Sequence, residues 1–274
     1  MTYAENLVID DPLWSTTREE AWQQSKTEPL LASFLHTAVL NHTTLEQSLS
    51  FNLATKLAGA VLPDMSIRAL IDEVLAKSPS IGEAVRADLQ AVRERDPACK
   101  DYLTPLLYFK GFQALQAHRI SHFLWQDERQ AIALYLQSRI SEVFAVDIHP
   151  AARIGKGLLI DHATSLVIGE TAVVDDDVSI LHEVTLGGTG KEGGDRHPKI
   201  RSGVLIGSGA KILGNIEVGH CARIASGSVV LENVPPCATV AGVPAKIVRQ
   251  GTEGTHPAKD MDHSGCLCEH AVHL

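Results

Sequence analysis

The residues best suited to chemistry in this 274-residue chain are His162, with Asp161 beside it, Asp147 shortly before, and Arg196-His197 inside a glycine-rich insertion. Histidine is the natural base for a hydroxyl that is hardly ionised at neutral pH, because its unperturbed pKa lies near that pH. Such a base needs a carboxylate to fix its tautomer and stabilise the imidazolium that forms. His162 stands in the second position after an aliphatic corner residue, Ile160, where a side chain can face outward. Asp147 falls on the preceding coil of a repeat of roughly eighteen residues, a few positions along from the place under His162. This set predicts activation of a hydroxyl, with His162 as base and Asp147 as its orienting partner.

The elements that must position these residues follow a period of six. Ile148, Ile154 and Ile160 form one register. After a two-residue slip come Ile168, Val174, Ile180 and Leu186, and a third run follows at Ile200, Ile206, Ile212, Val218, Ile224 and Val230. Small residues often come next, as at Gly155, Gly169, Gly207 and Gly219. No helix has this spacing, and an alternating strand would not need a glycine at each turn. Hexapeptide repeats of this kind build a parallel β-helix whose aliphatic residues stack inside a prism. The repeat breaks between Leu186 and Ile200, where Gly187–Pro198 carries five glycines and no apolar side chain. A coil has no structural need for it, and long ordered insertions are often functional.

Residues up to about 145 read as helices instead. Thr16-x-x-Glu19, Thr43-x-x-Glu46 and Ser80-x-x-Glu83 are capping-box candidates, and Pro63 and Pro97 are expected breaks. Leu106, Phe109, Phe112, Leu115, His118 and Ile120 line one side of a long segment from about Thr104 to Phe144, a face that can pack on helices or on another subunit. The expected fold class is therefore α+β. A helical oligomerisation and substrate-site domain spans 1–145, a β-helix spans 146–250 with its inserted loop near 187–199, and a flexible polar tail spans 251–274.

Composition narrows the class further. With 45% hydrophobic and 21% charged residues the chain reads as soluble and globular, and its core must be mainly aliphatic because only 5% is aromatic. The net charge of −9 argues against nucleic acid or an anionic membrane as partner, although charges nearly balance between Asp147 and Arg249. No apolar run approaches a membrane span, and no signal peptide is visible. Five scattered cysteines fit a reducing cytoplasm.

Longer stretches carry a family resemblance from about residue 25 to 250. They are Arg95-Asp-Pro-Ala98, Thr104-Pro-Leu-Leu-Tyr-Phe-Lys-Gly-Phe112, Val146-Asp-Ile-His-Pro-Ala-Ala152 and Asp161-His-Ala-Thr164. Val184-Thr-Leu-Gly-Gly-Thr-Gly190, Gly194-Asp-Arg-His-Pro-Lys-Ile200 and Ala241-Gly-Val-Pro-Ala-Lys246 complete the set. The chain resembles the serine O-acetyltransferases, left-handed β-helix enzymes that join a helical domain to hexapeptide repeats. The resemblance implies acetyl transfer from acetyl-CoA to the L-serine hydroxyl, the first step of cysteine biosynthesis, with inhibition by L-cysteine. It implies the same His162–Asp147 pairing, with Asp96 and Asp161 receiving the serine ammonium and Arg196 its carboxylate. His197 would stand by the reacting hydroxyl, brought by the insertion to a neighbouring chain's His162.

Acetyl-CoA is expected as co-substrate, with no tightly bound cofactor, along a groove between subunits near Gly188, Ser208, Arg223, Ser226 and Lys246. This chain has Ser208, Ala225 and Ser226 where the family more often has Ala and Gly. The resemblance implies a homotrimer, two of which join through the helical half. It also implies docking of the C-terminal tail into O-acetylserine sulfhydrylase, although the family's tail ends in isoleucine and this one in Leu274. Two rival readings are a regulatory scaffold for that partner and an acetyltransferase for another hydroxyl. A zinc site built on His162, His182 and His197 is opposed by the Asp-Arg-His-Pro-Lys loop, and Cys266-x-Cys268 in the tail is read as no metal site.

Overall fold

The computed structural model describes residues 11–190, 193–251 and 254–261. Its helices are α1 (Pro12–Thr27), α2 (Ala32–Leu35), α3 (Leu45–Leu57), α4 (Asp64–Lys77), α5 (Pro79–Arg95), α6 (Leu103–Leu107), α7 (Lys110–Gln126), α8 (Gln130–Phe144) and α9 (Pro257–Asp260). Their starts correct two of the capping expectations and shift the third. Asp11, not Thr16, caps α1, accepting from the Trp14 N–H ahead of Pro12. Thr44 and not Thr43 caps α3, and α5 opens at Ser78-Pro79. In α1 and α5 a proline at the first helical position fixes the entry, since its missing N–H would be unpaired there anyway. The expected long segment is split into α6, α7 and α8. Ala145, in left-handed backbone, ends α8, and the first strand begins at Val146.

From Val146 the chain winds into a left-handed parallel β-helix of about 5 turns. One face stacks Val146–Ile148, Leu166–Ile168, Thr185–Gly187, Lys211–Leu213 and Val229–Val230. The second stacks Arg153–Ile154, Val173–Val174, Lys199–Ile200 and Glu217–Val218. The third stacks Leu159–Ile160, Ser179–Ile180, Leu205–Ile206, Arg223–Ile224 and Ala238–Gly242, with Ala245–Gln250 added antiparallel. The hexad residues form the prism interior: Ile168, Val174, Ile180, Leu186, Ile200, Ile206, Ile212, Val218 and Ile224 are all buried, and Ile154 is partly covered.

The helices and the prism share one continuous apolar core. Polar bolts fix their relative placement. Asp88 on α5 is fully buried and accepts from Arg119 at 2.7 Å, Gln116 at 3.0 Å and the Leu158 N–H at 2.9 Å. Arg119 also donates to the carbonyls of Ile154 and Gly155. Arg95 reaches Asp177 at 2.9 Å and Ser179 at 3.2 Å. Removing Arg119 or Asp88 costs about 3–5 kcal/mol, because the other charge of that pair stays buried.

The tail expected to be flexible from 251 begins with a docked turn. Helix α9 packs on α5, Ala258 is buried, and its carbonyl accepts from Ser179 Oγ at 2.8 Å. A small side chain at 258 lets the turn lie flat on the prism. Cys266, Cys268 and Leu274 lie outside the described residues. No helix among the described residues is long and apolar enough to cross a membrane.

Candidate active site

His162 sits at the corner where the third face turns into the first. The turn is tight: the Ala163 N–H donates to Asp161 O at 2.6 Å and the Thr164 N–H to His162 O at 2.8 Å. His162, Ala163 and Ser165 all take positive φ, conformations that persist in non-glycine residues only where surroundings enforce them. The enforcing element is the N-terminus of α7. A Cβ on Gly111 would fall 2.1 Å from the Ile160 carbonyl, so only glycine lets the helix come this close. Next to it Lys110 donates to the Thr164 hydroxyl. The His162 side chain is 72% exposed, with Asp161 Oδ2 3.7 Å from Nε2. His182, one coil on, meets it edge-on with ring centroids 5.7 Å apart.

Arg196 and His197 belong to the opposite corner of the same face. The insertion leaves the strand Thr185–Gly187 and returns at Lys199–Ile200, which pairs with Val173–Val174. It is strapped to the corner residues Gly169-Glu170-Thr171. Arg196 donates to Glu170 at 2.6 Å, and this bond holds the Glu170 carboxyl below the ordinary carboxylate range. Thr171 Oγ1 accepts the backbone N–H groups of Arg196 at 3.0 Å and His197 at 3.1 Å. His197 is buried, 7% exposed, with its ring over Gly169, where a Cβ would fall 2.1 Å from ring atoms. Burial, and then the neighbouring Arg196, push its pKa below the usual histidine value.

Asp147 lies on the coil below His162, farther along than the repeat count suggests. It pairs across the face with Val167, so it stacks under the middle of the first face and not near the corner under His162. The two-residue slip lengthens this coil beyond the roughly eighteen residues assumed. Asp147 Oδ1 accepts from Gln137 of α8 at 2.7 Å, and the carboxylate that meets His162 within the chain is Asp161. At the far end of that strand, burial pushes the His149 pKa below the usual histidine value against the opposing pull of the Glu170 and Asp147 carboxylates. From Ala145 to His149 the strand crosses the face in about 13 Å at ~3.3 Å per residue. One small amino acid cannot touch both corners of one chain.

The other expected contacts divide between edges. Gly209 N–H donates to His182 O and Gly227 N–H to Ser208 O, so Ser208 and Ser226 continue upward along the edge that carries His162 and His182. Their hydroxyls are 3.3 Å apart. Lys246 is exposed on the last strand, paired with Ala241, near the end of this edge. Gly188 lies against Arg196 at the other corner. Arg223 borders a pocket of about 250 Å³ lined by Cys221, Cys237, Thr239 and Arg249, at the start of its strand on the third face. Asp96, just past α5, accepts from its own Ala98 N–H at 2.8 Å. Its helix packs on the strand before Asp161.

Sequence reasoning missed Gly111, Glu170 and Thr171. Gly111 lay in a quoted stretch, but nothing local marked the carbonyl it meets. Glu170 and Thr171 look like any polar corner, and only the path of the insertion gives them partners. Among the described residues no group of three or more His, Cys, Asp or Glu side chains is arranged to hold a metal ion.

Comparison with known proteins agrees with this architecture. The family described as serine acetyltransferase, N-terminal, matches residues 13–117, and the bacterial transferase hexapeptide family matches 197–232. Over 250 residues the chain is 55% identical to the serine acetyltransferase of Escherichia coli (strain K12), covering 91% of each. A solved serine acetyltransferase in complex with cysteine is 55% identical, with a TM-score of 0.90 over 92% of this chain and 98% of that one. The serine acetyltransferase of Brucella abortus strain S19 in complex with coenzyme A is 52% identical, with a TM-score of 0.88 over 90% and 99%.

Proposed function

The chain belongs to the serine acetyltransferase family, and we propose that its reaction centre forms where the His162 corner of one chain meets the Arg196-His197 corner of another. The enzyme transfers the acetyl group of acetyl-CoA to L-serine, giving O-acetyl-L-serine and CoA in cysteine biosynthesis. The observation that carries the split site is the separation of the two corners by the width of one prism face.

In this reading the serine carboxylate pairs with Arg196, and its ammonium group with Asp161 and Asp96. These opposite charges fix a small zwitterion with its hydroxyl toward His162. The imidazole takes the hydroxyl proton as the oxygen attacks the thioester carbon. A tetrahedral intermediate forms, and His197 donates a hydrogen bond to the oxygen on which charge develops. The carbon–sulfur bond then breaks, and the imidazolium returns its proton to the leaving thiolate. Asp147 shares the face of Arg196 and His197, so we assign it to the chain that supplies them, where it would orient the facing His162. The pantetheine arm of acetyl-CoA runs along the edge marked by Ser208, Ser226 and Lys246, with Gly188 supplied from across the boundary.

A homotrimer, in which each chain gives one corner to each neighbour, is proposed on family resemblance, and pairing of two trimers would use the helical half. L-Cysteine carries the same ammonium and carboxylate with a thiol for the hydroxyl, so it is proposed as a competitive inhibitor with respect to serine. A cytoplasmic location fits the free thiols of Cys99, Cys221 and Cys237. O-Acetylserine sulfhydrylase is kept as the proposed partner of the tail, on family resemblance alone. The test is thiol release from acetyl-CoA with L-serine, other amino acids and sugars as acceptors. Serine should be strongly preferred, and a sugar that works while serine does not would overturn the pocket assignment.

A further inference from the structure

Thr171 was singled out by nothing in the sequence, yet it makes more contacts to the insertion than any charged residue does. A threonine hydroxyl offers one hydrogen and two lone pairs. Both acceptor positions of Thr171 Oγ1 are taken, by the N–H of Arg196 at 3.0 Å and the N–H of His197 at 3.1 Å. Its single hydrogen can go to Nδ1 of His197 at 2.9 Å or to the Asp195 carboxylate, which it helps Lys199 hold below the ordinary carboxylate range. The backbone N–H of Thr171 points at the same nitrogen, at 3.2 Å. A ring nitrogen that accepts from this fixed N–H carries no proton, so a neutral ring must bear its hydrogen on Nε2. That atom lies between two glycines: it is 2.1 Å from where a Cβ on Gly169 would stand, and 3.5 Å from one on Gly188.

We propose that Thr171 is a positioning residue that locks His197 in the Nε2–H form, making it a hydrogen-bond donor to the substrate and unable to act as a second base. The proposal rests on the reading that the Arg196-His197 corner faces a neighbour's His162. It divides the labour between the two histidines: His162 moves the proton, and His197 only donates. The surroundings agree. Burial, Arg196, Lys199 and His149 all disfavour a second proton on His197, against Glu170 alone in favour. Preorganised donors aimed at developing charge need no rearrangement during the reaction.

The test compares Thr171→Val, which keeps the shape but loses the hydroxyl, with Thr171→Ser, which keeps the hydroxyl. Serine at 171 should hold kcat within about threefold of native, while valine should lower it at least about tenfold, against ~100-fold or more for His197→Ala. The KM for acetyl-CoA should be unchanged in both. His197→Gln, able to donate from a similar place but not to take a proton, should retain more activity than His197→Ala. Nitrogen-15 NMR of histidine-labelled enzyme, with His197→Gln to assign the ring, should show an unprotonated Nδ1 in the native protein and a mixture in Thr171→Val. Native kcat in Thr171→Val, failure of serine to rescue, or a protonated Nδ1 in the native enzyme would overturn the proposal. A fully active His162→Ala would instead overturn the site reading on which it rests.

Discussion

At one corner of the first face His162 stands open to solvent on a turn of left-handed backbone, held from behind by α7. At the other, His197 is buried and tied at Nδ1 by Thr171, and Arg196 is locked onto Glu170. The first corner fixes the backbone and leaves the side chain free. The second fixes the side chains and needs an insertion to deliver them. A base must exchange protons, so exposure costs it little until a facing surface excludes water. Groups that only bind or donate gain most from being rigid beforehand.

Breaking the first corner at its centre should have the largest effect. His162→Ala should lower kcat by about 10²- to 10⁴-fold while assembly and melting stay native, as measured by turnover, light scattering and calorimetry. Breaking the second at Arg196 should act on binding. Arg196→Met removes charge-assisted hydrogen bonds and should raise the KM for serine by about 10- to 100-fold with little change for acetyl-CoA. The comparison sharpens with two glycines. Gly111→Ala forces α7 off the Ile160 carbonyl and should cost about 1–3 kcal/mol of stability, lowering Tm and kcat together. Gly169→Ala pushes on the His197 ring, so its effect should fall on kcat more than on Tm. The smallest effect belongs to Glu170→Gln, which keeps a hydrogen bond to Arg196 across a partly exposed pair. It should change the serine KM by no more than about fivefold, read by steady-state titration.

The repeat made the prism legible, because an aliphatic residue every six positions has few other uses and those residues are the ones inside. The insertion was legible as a functional departure for the same reason. The helix starts were less so, since Thr16 and Ser80 match a capping pattern while Asp11-Pro12 and Ser78-Pro79 define the real entries. Asp147 was legible as lying on the coil below His162 and some way along it, and the two-residue slip moves it farther, to mid-face opposite Val167. Thr171 and Gly111 were invisible because their partners, His197 and the Ile160 carbonyl, are distant in sequence and are set by coil stacking and helix docking.

The central claim, that each site is assembled from two chains, is tested most directly by mixing two inactive variants. His162→Ala retains a sound Arg196-His197 corner, and Arg196→Met retains a sound His162. Co-expressed at equal levels and assayed at a serine concentration where Arg196→Met alone is silent, they should recover about a quarter of native turnover, the share of junctions that pair two sound corners in a randomly mixed ring. Recovery no greater than the sum of the two separate variants would mean that each chain holds its own complete site.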